Sequence, residues 1–526
     1  MSAIEQIEQE RLEAQSRLDA EKSQAERNRL GQFATPTALA VDILRYANTL
    51  VPERSQVRFL DPAIGTGAFY SALVRIFSLS RLAAALGFEI DPQYARKAQA
   101  LWKDTPLKVV PGDFTKAAPP DNDTDKATLV ICNPPYVRHH HLARDDKIRL
   151  HNLAARAAGV ELSGLAGLYS HFLCIGHQWM ARDGLAGWLI PSEFMDVKYG
   201  LAVKLYLLDK VTLLRIHRFD PADVQFDDAL VSSAVVWFRN APPPEGHTVE
   251  FTYGGTLLEP RLSRQVAADA LWHSPKWTQY PMAAEAAAVK RTRPVLADLF
   301  VIKRGIATGA NKFFILTPQQ AKQLSLPSGF LKPILPSPRY VHVDEIPADS
   351  RGNPLVEPRL LLLDCHLPPD EVRGKHPTLW AYLQTGTKDG IDKGYICTHR
   401  SPWYAQEDRP PAMFLCTYMG RQGKEARGPF RFILNHSKAT AANTYLLLYP
   451  RQRLAKVLRE RPEAAVAVWR ALNSIPAEAI VGEGRIYGGG LHKIEPRELA
   501  NAPAQSVLKA VEGIIDSRNE QMVLFE

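Results

Sequence analysis

The tetrapeptide Asn133-Pro134-Pro135-Tyr136 combines residue types that could hold a planar ring bearing an amino group. It follows the apolar run 127–132, which is typical of a buried strand, so it is expected at the carboxyl end of a central strand in an open α/β sheet. The two prolines remove two backbone N–H donors and restrict the turn to a rigid corner. Carbonyl oxygens of this corner could accept both hydrogens of an amino group while the tyrosine stacks on the ring.

A glycine-containing loop in residues 59–69 is typical of a site for a nucleotide-like cofactor. An apolar strand ends at Asp61, Ala63 follows, and Gly65 and Gly67 precede a helix start. The glycines let a ligand approach the backbone closely, and the new helix presents its N-terminal amides. Tyrosine stands where a dinucleotide fingerprint needs its third glycine, so the loop favours another nucleotide-like ligand.

Acidic residues follow the next two predicted strands. Glu89, with Ile90 beside it, lies about 20 residues beyond the glycine loop, a spacing that suits a ribose diol. Asp91 precedes a proline and is expected to cap the following helix. After the third strand, Asp113 could accept from an exocyclic amine and Phe114 could stack on a purine. Together these strand ends predict a pocket for an adenosine.

A Thr35-Pro36 pair precedes the first predicted core helix. The pattern predicts that the Thr35 hydroxyl caps this helix and that Pro36 occupies its first position. The same exposed amides and hydroxyl could also hold a carboxylate.

The elements that must position these residues alternate between short apolar runs and helical stretches, which predicts a doubly wound α/β domain over residues 29–240. Residues 1–28 are predicted to form a charged, solvated helix, residues 241–290 a connector with a helix at 282–290, and residues 291–526 a second domain. The predicted strands are 57–60, 86–90, 107–110, 129–132, 185–190, 213–219 and 231–238. The predicted helices between them include 38–50, 69–77, 94–102 and 169–181.

Composition excludes several classes of protein. Among 526 residues, 46% are hydrophobic and 23% charged, as in ordinary globular proteins, and no apolar run approaches the ~20 residues of a membrane span. The five cysteines lack CxxC spacing, so neither a disulfide framework nor a zinc site is expected. The net charge of +8 is placed unevenly, because residues 291–526 hold 32 Lys and Arg against 23 Asp and Glu. This basic excess favours a polyanion partner for the C-terminal part.

The order of these motifs resembles the gamma-type DNA adenine-N6 methyltransferases of type II restriction–modification systems. The matching stretch runs from about residue 32 to residue 238, and a C-terminal domain follows. The resemblance implies a Rossmann-like domain that uses S-adenosyl-L-methionine and a C-terminal α+β target-recognition domain. It implies that Thr35 contacts the methionine carboxylate, that Glu89 holds the ribose, and that Asp113 and Phe114 hold the adenine. The residues expected along the methionine and ribose are Asp61, Ala63 and Gly65, with Gly67 and Ile90 adjoining them.

The implied reaction is direct methyl transfer to an adenine that has been flipped out of duplex DNA. Asn133 and the Pro134 carbonyl would accept the two N6 hydrogens, which localises the nitrogen lone pair. Tyr136 would stack on one face of the base, and Phe226 resembles the aromatic residue that packs on the other face. Burial of Phe226 as a core residue of its loop is the alternative.

Basic and aromatic loop residues are expected to contact DNA, and the histidines at 139–141 are expected to face phosphates and not a metal ion. The candidates are Arg138, His139, Arg304, Thr308, Asn311, Lys312, Trp403, Tyr404, Arg421, Lys424 and Tyr487. The expected partners are double-stranded DNA and a separate cognate restriction endonuclease, with the chain acting as a monomer beside the nucleoid in a bacterial cytoplasm. Methylation of cytosine N4, an RNA base or a protein glutamine stays open, as does a non-catalytic DNA-binding subunit.

Overall fold

The computed structural model describes residues 3–220, 232–281, 294–421, 428–487 and 490–516. The chain divides into two compact units. The first contains residues 1–288 and 487–489, and the second contains residues 289–486 and 490–526.

A large sheet with helices on both faces forms the first unit. Its strands are β1 (Val57–Asp61), β2 (Leu82–Glu89), β3 (Leu107–Pro111), β4 (Ala127–Cys132), β5 (Met180–Pro191), β6 (Thr212–Arg218), β7 (Ser233–Arg239), β8 (Thr248–Gly255) and β9 (Pro260–Ala267). Its helices are α1 (Ala3–Ala20), α2 (Gln24–Leu30), α3 (Thr37–Leu50), α4 (Ala68–Ile76), α5 (Pro92–Leu101), α6 (Arg144–Ala158), α7 (Leu168–Gly176), α8 (Leu201–Leu205) and α9 (Ala268–Trp272).

The strand order β3-β2-β1-β4-β5-β7-β6-β8-β9 places a reversal of winding between β1 and β4. Strands β1 to β5 pair in parallel, and β7 lies antiparallel between β5 and β6. Ligands of open α/β sheets bind beyond the carboxyl ends of the strands at such a reversal. The ends of β1 and β4 are therefore the two positions from which a site should be built.

Alternating side chains of the central strands explain why helices cover both faces. Leu129 and Ile131 of β4 belong to one buried apolar cluster, whereas Val130 and Cys132 belong to another. Successive side chains of a strand point to opposite faces, so each cluster needs its own layer of helices. The doubly wound α/β prediction and all seven predicted strands are confirmed.

Two predictions about this unit are wrong. The helix predicted for 169–181 ends at Gly176, and β5 begins at Met180. The connector predicted for 241–290 contains β8, which pairs in parallel with β6, and β9, which pairs with β8. Buried residues of β8 fall on both of its faces, because Val249 and Phe251 point one way and Thr252 the other, as in a strand inside a sheet. The helix predicted at 282–290 lies outside the described residues.

The N-terminal segment forms two helices, α1 and α2, and not one solvated helix. Glu8 and Arg11 of α1 are only 7% and 2% exposed, although both carry charge. Buried charges are stable only when they are paired and hydrogen-bonded, so a polar partner surface must cover this side of the helix. The prediction of a solvated helix is therefore wrong.

The second unit mixes helices with three smaller sheets, which confirms the α+β prediction. The sheets have the orders β10-β19-β15-β17-β13, β11-β14-β12-β18 and β16-β21-β20. The strands are β10 (Phe300–Arg304), β11 (Ile315–Leu316), β12 (Leu331–Leu335), β13 (Glu345–Ile346), β14 (Leu360–Leu363), β15 (Phe414–Thr417), β16 (Met419–Arg421), β17 (Phe432–Asn435), β18 (Thr440–Ala441), β19 (Tyr445–Pro450), β20 (Arg485–Tyr487) and β21 (Leu491–Lys493). The helices are α10 (Leu296–Leu299), α11 (Asn311–Phe314), α12 (Pro318–Gln323), α13 (Pro369–Lys375), α14 (Pro377–Lys388), α15 (Tyr395–Thr398), α16 (Gln452–Glu460), α17 (Ala464–Asn473), α18 (Ala477–Val481), α19 (Pro496–Leu499) and α20 (Gln505–Asp516).

None of the helices in the described part of the chain combines the length and the apolar character needed to span a bilayer.

Candidate cofactor and substrate site

The glycine loop joins β1 to α4 and uses its two glycines differently. Gly65 has a φ of +58°, and the space where a Cβ would stand is open to 4 Å. Gly67 has a φ of +96°, and a Cβ there would clash with the indole nitrogen of Trp102. Gly65 therefore leaves room for a ligand beside the backbone, whereas Gly67 allows the loop to pack on the domain.

Glu89 ties the end of β2 to this loop. Its Oε2 accepts from the Gly65 amide at 2.9 Å and its Oε1 from the Asp91 amide at 2.8 Å. Burial raises the pKa of Glu89. Each carboxylate oxygen has a second lone pair, so both can still accept from a ribose diol. Asp91 caps α5, as predicted, because its side chain accepts from the Gln93 amide.

Asp61, at the end of β1, is the second buried acid of the pocket. It is almost fully buried and accepts from the Ala63 amide at 3.1 Å. Burial raises its pKa to about 8, because the Ala63 amide and the Cys132 thiol do not replace the lost hydration, and the Glu89 carboxylate adds to the shift. A cationic ligand would favour the ionised form of this carboxyl.

The remaining residues of the predicted adenosine pocket lie at the ends of β2 and β3. Ile90 is 65% exposed, which is unusual for a large apolar side chain at a strand end. Asp113 uses one oxygen to accept from the Thr115 amide and hydroxyl, at 2.9 and 2.7 Å. Its other oxygen lies 3.7 Å from Arg149. The Phe114 ring is buried in an aromatic cluster, so it presents no open face for stacking in this structure.

Asn133 is oriented by the segment that precedes α3. Its Nδ2 donates to the Phe33 carbonyl and to Thr35 Oγ1, each at 3.1 Å. A carbonyl can only accept, so the amide must point its nitrogen at Phe33 and its oxygen elsewhere. Oδ1 is buried and accepts from no residue that the structure describes. An orphaned acceptor of this kind is an expected mark of a ligand site.

Tyr136 is held in place through both its backbone and its side chain. Its hydroxyl donates to the Leu189 carbonyl at 3.0 Å, and its amide donates to the Gly31 carbonyl at 3.3 Å. Its ring lies 5.7 Å from the Phe33 ring, centroid to centroid. A Cβ on Gly31 would overlap the Tyr136 backbone, so this close approach requires glycine.

Phe33 is the site residue that the sequence did not reveal. It contributes a carbonyl to Asn133 and a ring to Tyr136. Its only signal was its place inside the Thr-Pro segment.

The structure corrects the predicted role of Thr35 as a helix cap. Helix α3 begins at Thr37, Pro36 occupies the cap position, and no side chain caps the helix. The Thr35 hydroxyl instead accepts from Asn133. The contact expected with a methionine carboxylate stays a prediction.

The loop after the tetrapeptide carries exposed Arg138 and a turn of three histidines. The His139 and His140 rings meet edge to face, with centroids 5.3 Å apart, and the His141 ring lies tilted against His140 at 4.1 Å. No group of metal-ligating side chains occurs in the described part of the chain.

The DNA-contact candidates of the second unit separate into exposed and buried residues. Asn311 and Lys312 are exposed at the start of α11, and Arg304 is exposed with its guanidinium 4.1 Å from the Tyr418 ring centroid. Arg421 is exposed at the end of β16. Trp403 is half-buried, and so is Tyr487, which belongs to the first unit.

The prediction that Thr308 and Tyr404 contact DNA is wrong, because both side chains are buried, at 1% exposure. The Thr308 hydroxyl donates to Asn311 Oδ1 at 2.6 Å, and Tyr404 donates to the Leu367 carbonyl at 2.6 Å. These residues shape loops and do not face a partner. Phe226 and Lys424 lie outside the described residues.

Tyr395 is an exposed aromatic residue that sequence reasoning missed. It is 80% exposed, and its ring lies 4.4 Å from the His399 ring. Gly309 lies against α15, where a Cβ would stand 3.2 Å from Ile396. The loop that carries Asn311 therefore packs against α15, the helix that begins at Tyr395.

Comparisons with known proteins agree with this architecture. Residues 79–225 match the family described as Eco57I restriction-modification methylase, and residues 274–522 match the C-terminal domain of the type II methyltransferase M.Eco57I. The chain belongs to this family of restriction–modification methylases. It is accordingly a DNA methyltransferase.

Two curated relatives match nearly the whole chain. Type II methyltransferase M.XamI of Xanthomonas campestris pv. amaranthicola is 29% identical, with 90% of this chain and 84% of the relative covered. Type II methyltransferase M.AccI of Acinetobacter calcoaceticus is 24% identical, with 90% and 85% covered. The solved structure of the type IIL restriction-modification enzyme MmeI in complex with DNA shares the fold, with a TM-score of 0.52, 13% identity, and 92% of this chain and 73% of that chain covered.

The family assignment confirms S-adenosyl-L-methionine as the cofactor, and the pocket fits its chemistry. Glu89 suits the ribose diol, exposed Ile90 suits the adenine ring, and the open space at Gly65 admits a ligand next to the backbone. Two buried acids, Asp61 and Glu89, complement its cationic sulfonium. When bound, the cofactor supplies an activated methyl group.

Proposed function

We propose that this methyltransferase acts on N6 of an adenine that is flipped out of a short recognition sequence in double-stranded DNA. The observation that carries the proposal is the orphaned Oδ1 of Asn133, at the carboxyl end of β4 and at the reversal of the sheet. The two hydrogen bonds that Asn133 Nδ2 donates hold Oδ1 in this position. An acceptor placed there suits an amino group on a planar ring.

The chemistry of adenine explains why acceptors are needed. The N6 lone pair is delocalised into the ring, so the nitrogen is a weak nucleophile. Asn133 Oδ1 and the Pro134 carbonyl would accept the two N6 hydrogens and localise that pair toward the methyl donor. Preorganised groups of this kind lower a barrier because they need no rearrangement during the reaction. No metal and no covalent nucleophile enters the proposed reaction.

An adenine inside a duplex cannot reach this site, so the base would leave the stack at a cost of about a few kcal/mol. Stacking offsets this cost by about 1–3 kcal/mol per base. The proposed stacking faces are Tyr136, whose ring is anchored by the hydroxyl bond to Leu189, and Phe226. Pro135 keeps the corner rigid between Asn133 and the ring.

The second unit is proposed to select the DNA sequence. Arg304, Lys312 and Arg421 are exposed cations that suit phosphates, whereas Asn311 and Tyr395 are exposed polar and aromatic groups that suit base edges. In the first unit, Arg138 and His139 would lie near the phosphates of the flipped nucleotide. Monomeric action, a separate cognate endonuclease and a place beside the nucleoid of the bacterial cytoplasm stay predictions.

The deciding experiment expresses the chain in cells that lack N6-methyladenine and sequences their DNA by single-molecule methods, with nucleoside mass spectrometry in parallel. The proposal expects N6-methyladenine in one recurring motif. Asn133→Ala should abolish it but keep cofactor binding, whereas Asn152→Ala, an exposed residue of α6, should leave it unchanged. N4-methylcytosine in place of N6-methyladenine would overturn the choice of base. Absence of any modified base would overturn the activity.

A further inference from the structure

The buried polar face of α1 contains a charged pair that has no role in methyl transfer. Arg11 donates to both carboxylate oxygens of Glu8, from Nε to Oε2 at 2.7 Å and from Nη2 to Oε1 at 2.8 Å. The desolvation of such a pair is unfavourable, and further hydrogen bonds are needed to offset it. The partners that satisfy it therefore show what the pair holds in place.

One partner of the pair is the middle residue of the glycine loop. Arg11 Nη1 donates to Thr66 Oγ1 at 3.2 Å, and the same hydroxyl donates to Gln15 Oε1 of α1 at 2.7 Å. Thr66 also accepts, through its carbonyl, from the Trp102 indole at 3.0 Å. Thr66 is buried, so the loop is held by α1 on one side and by its own domain on the other.

Other partners lie at the starts of the two helices that flank the site. Ser71 of α4 donates to Glu8 Oε2 at 2.6 Å, and Thr37 of α3 donates to Glu8 Oε1 at 2.5 Å. Arg11 Nη2 donates to Thr37 at 3.0 Å. Burial alone would raise the pKa of Glu8, but the hydrogen bonds from Arg11, Ser71 and Thr37 lower it to about 2. The carboxylate therefore stays charged at neutral pH and keeps its donors.

The far end of α1 is anchored beside the other cofactor residue. Asp19 accepts from the Tyr94 hydroxyl of α5 at 2.6 Å. Lys22, in the turn after α1, forms an ion pair with Asp91, whose amide donates to Glu89 at 2.8 Å. Glu89, the predicted ribose contact, is therefore linked to α1 on two sides. One link runs through Asp91 and Lys22, and the other runs through Gly65 and its neighbour Thr66.

We propose that α1 is a brace for the cofactor loop, with Arg11 as its positioning residue. A loop with glycines at both ends has many conformations, and ordering it on binding costs affinity. The brace orders the loop before the cofactor arrives, so the binding energy is not spent on ordering it. Arg11 touches neither cofactor nor base, and it acts through Thr66. The proposal rests on the cofactor, not on the identity of the methylated base.

The test uses Thr66→Val, which keeps the side-chain size and removes both contacts with α1, together with Arg11→Met. Arg17→Met is the matched control, because Arg17 is exposed on the same helix. Equilibrium dialysis with S-adenosyl-L-methionine, without DNA, gives the Kd of the full chain. Hydrogen exchange reports the loop amides of Gly65 and Gly67, which donate to Glu89 and to Ile64.

We expect the Kd of both variants to rise about tenfold and the two amides to exchange faster, as the loss of hydrogen bonds involving a charged partner predicts. The kcat at saturating cofactor should change less than the KM for the cofactor, and Arg17→Met should change neither. Thr66→Val carries the test alone if Arg11→Met does not fold. An unchanged Kd and unchanged exchange in Thr66→Val would overturn the brace, even if its melting temperature fell. Because no DNA is present, that result is independent of which base is methylated.

Discussion

Replacement of Thr35 by Val separates two roles for one hydroxyl. In the structure, Thr35 Oγ1 accepts from Asn133 Nδ2 at 3.1 Å, and the resemblance to adenine methyltransferases assigns the same residue to the methionine carboxylate. Valine has nearly the same shape, so the change removes the oxygen with little change in packing. If the first role dominates, the substitution disorders the catalytic amide and leaves the cofactor in place.

The magnitude follows from the hydrogen bonds that remain. Asn133 Nδ2 keeps its second acceptor, the Phe33 carbonyl at 3.1 Å, so the amide loses one of its two restraints. One such bond contributes about 0.5–1.5 kcal/mol, which corresponds to about a two- to tenfold fall in kcat. We expect the Kd for S-adenosyl-L-methionine to stay within about twofold, because no lost contact reaches the glycine loop.

The assay measures single-turnover methyl transfer to a DNA that contains the mapped recognition motif, together with cofactor binding by dialysis. Thr49→Val is the control, because the Thr49 hydroxyl donates to the Tyr46 carbonyl in the same helix, α3, and does not contact the site. Its transfer rate and Kd should equal those of the wild type.

The opposite pattern would refute the reasoning. A tenfold rise in the cofactor Kd of Thr35→Val with an unchanged single-turnover rate would place the hydroxyl on the carboxylate and not on Asn133. A rise in the cofactor Kd together with a fall in the single-turnover rate would show that the one hydroxyl serves both contacts.

Three other predictions follow from the site. Gly67→Ala should lower the free energy of unfolding, measured by chemical denaturation, by about 1–3 kcal/mol. Gly65→Ala should lower that free energy less, but it should weaken cofactor binding. Because burial raises the pKa of Asp61 from 3.8 to about 8, the folded state holds a proton that the unfolded chain releases, so stability of the cofactor-free protein should fall as pH rises from 4 to 8. Asp61→Asn should flatten that pH profile, and an unchanged profile would exclude Asp61 as the titrating group. Lys312→Ala should reduce the salt dependence of DNA binding by about one unit of slope, while Tyr404→Phe should lower the melting temperature and leave DNA affinity unchanged.

The local sequence was sufficient for the elements of the site. Apolar runs bounded by turn residues gave the strands, and Asp91 before a proline gave the start of α5. These signals lie within a few residues of the feature they specify. Strand β8 was missed although Val249 and Phe251 alternate with polar residues, because this alternation is short and ends in two glycines. Strand β9 was missed because most of its residues are exposed, so it carries few apolar residues to alternate.

Contacts between distant segments could not be derived in the same way. Phe33 and Asn133 are 100 positions apart, and Arg11 and Thr66 are 55 apart. A sequence predicts that a charged residue such as Glu8 is solvated, because most charged residues are. Only its partners on other helices reveal that Glu8 is buried. Tyr404 was predicted to contact DNA but is 1% exposed, whereas Tyr395, which was not among the candidates, is 80% exposed.

The sequence by itself determined the fold class, and it supplied the predictions of a cofactor pocket at the ends of the first three strands and of an acceptor corner from Asn133 to Tyr136. These predictions depend on the periodicity of apolar residues, on the residue types of turns and on the spacing of motifs along one stretch of chain. Only the tertiary structure decided that the Asn133 amide is oriented by Phe33 and Thr35 and leaves its oxygen without a donor among the described residues. It also decided that α1 lies on the glycine loop, because the direction of a side chain and the satisfaction of a buried charge depend on which segments meet in space.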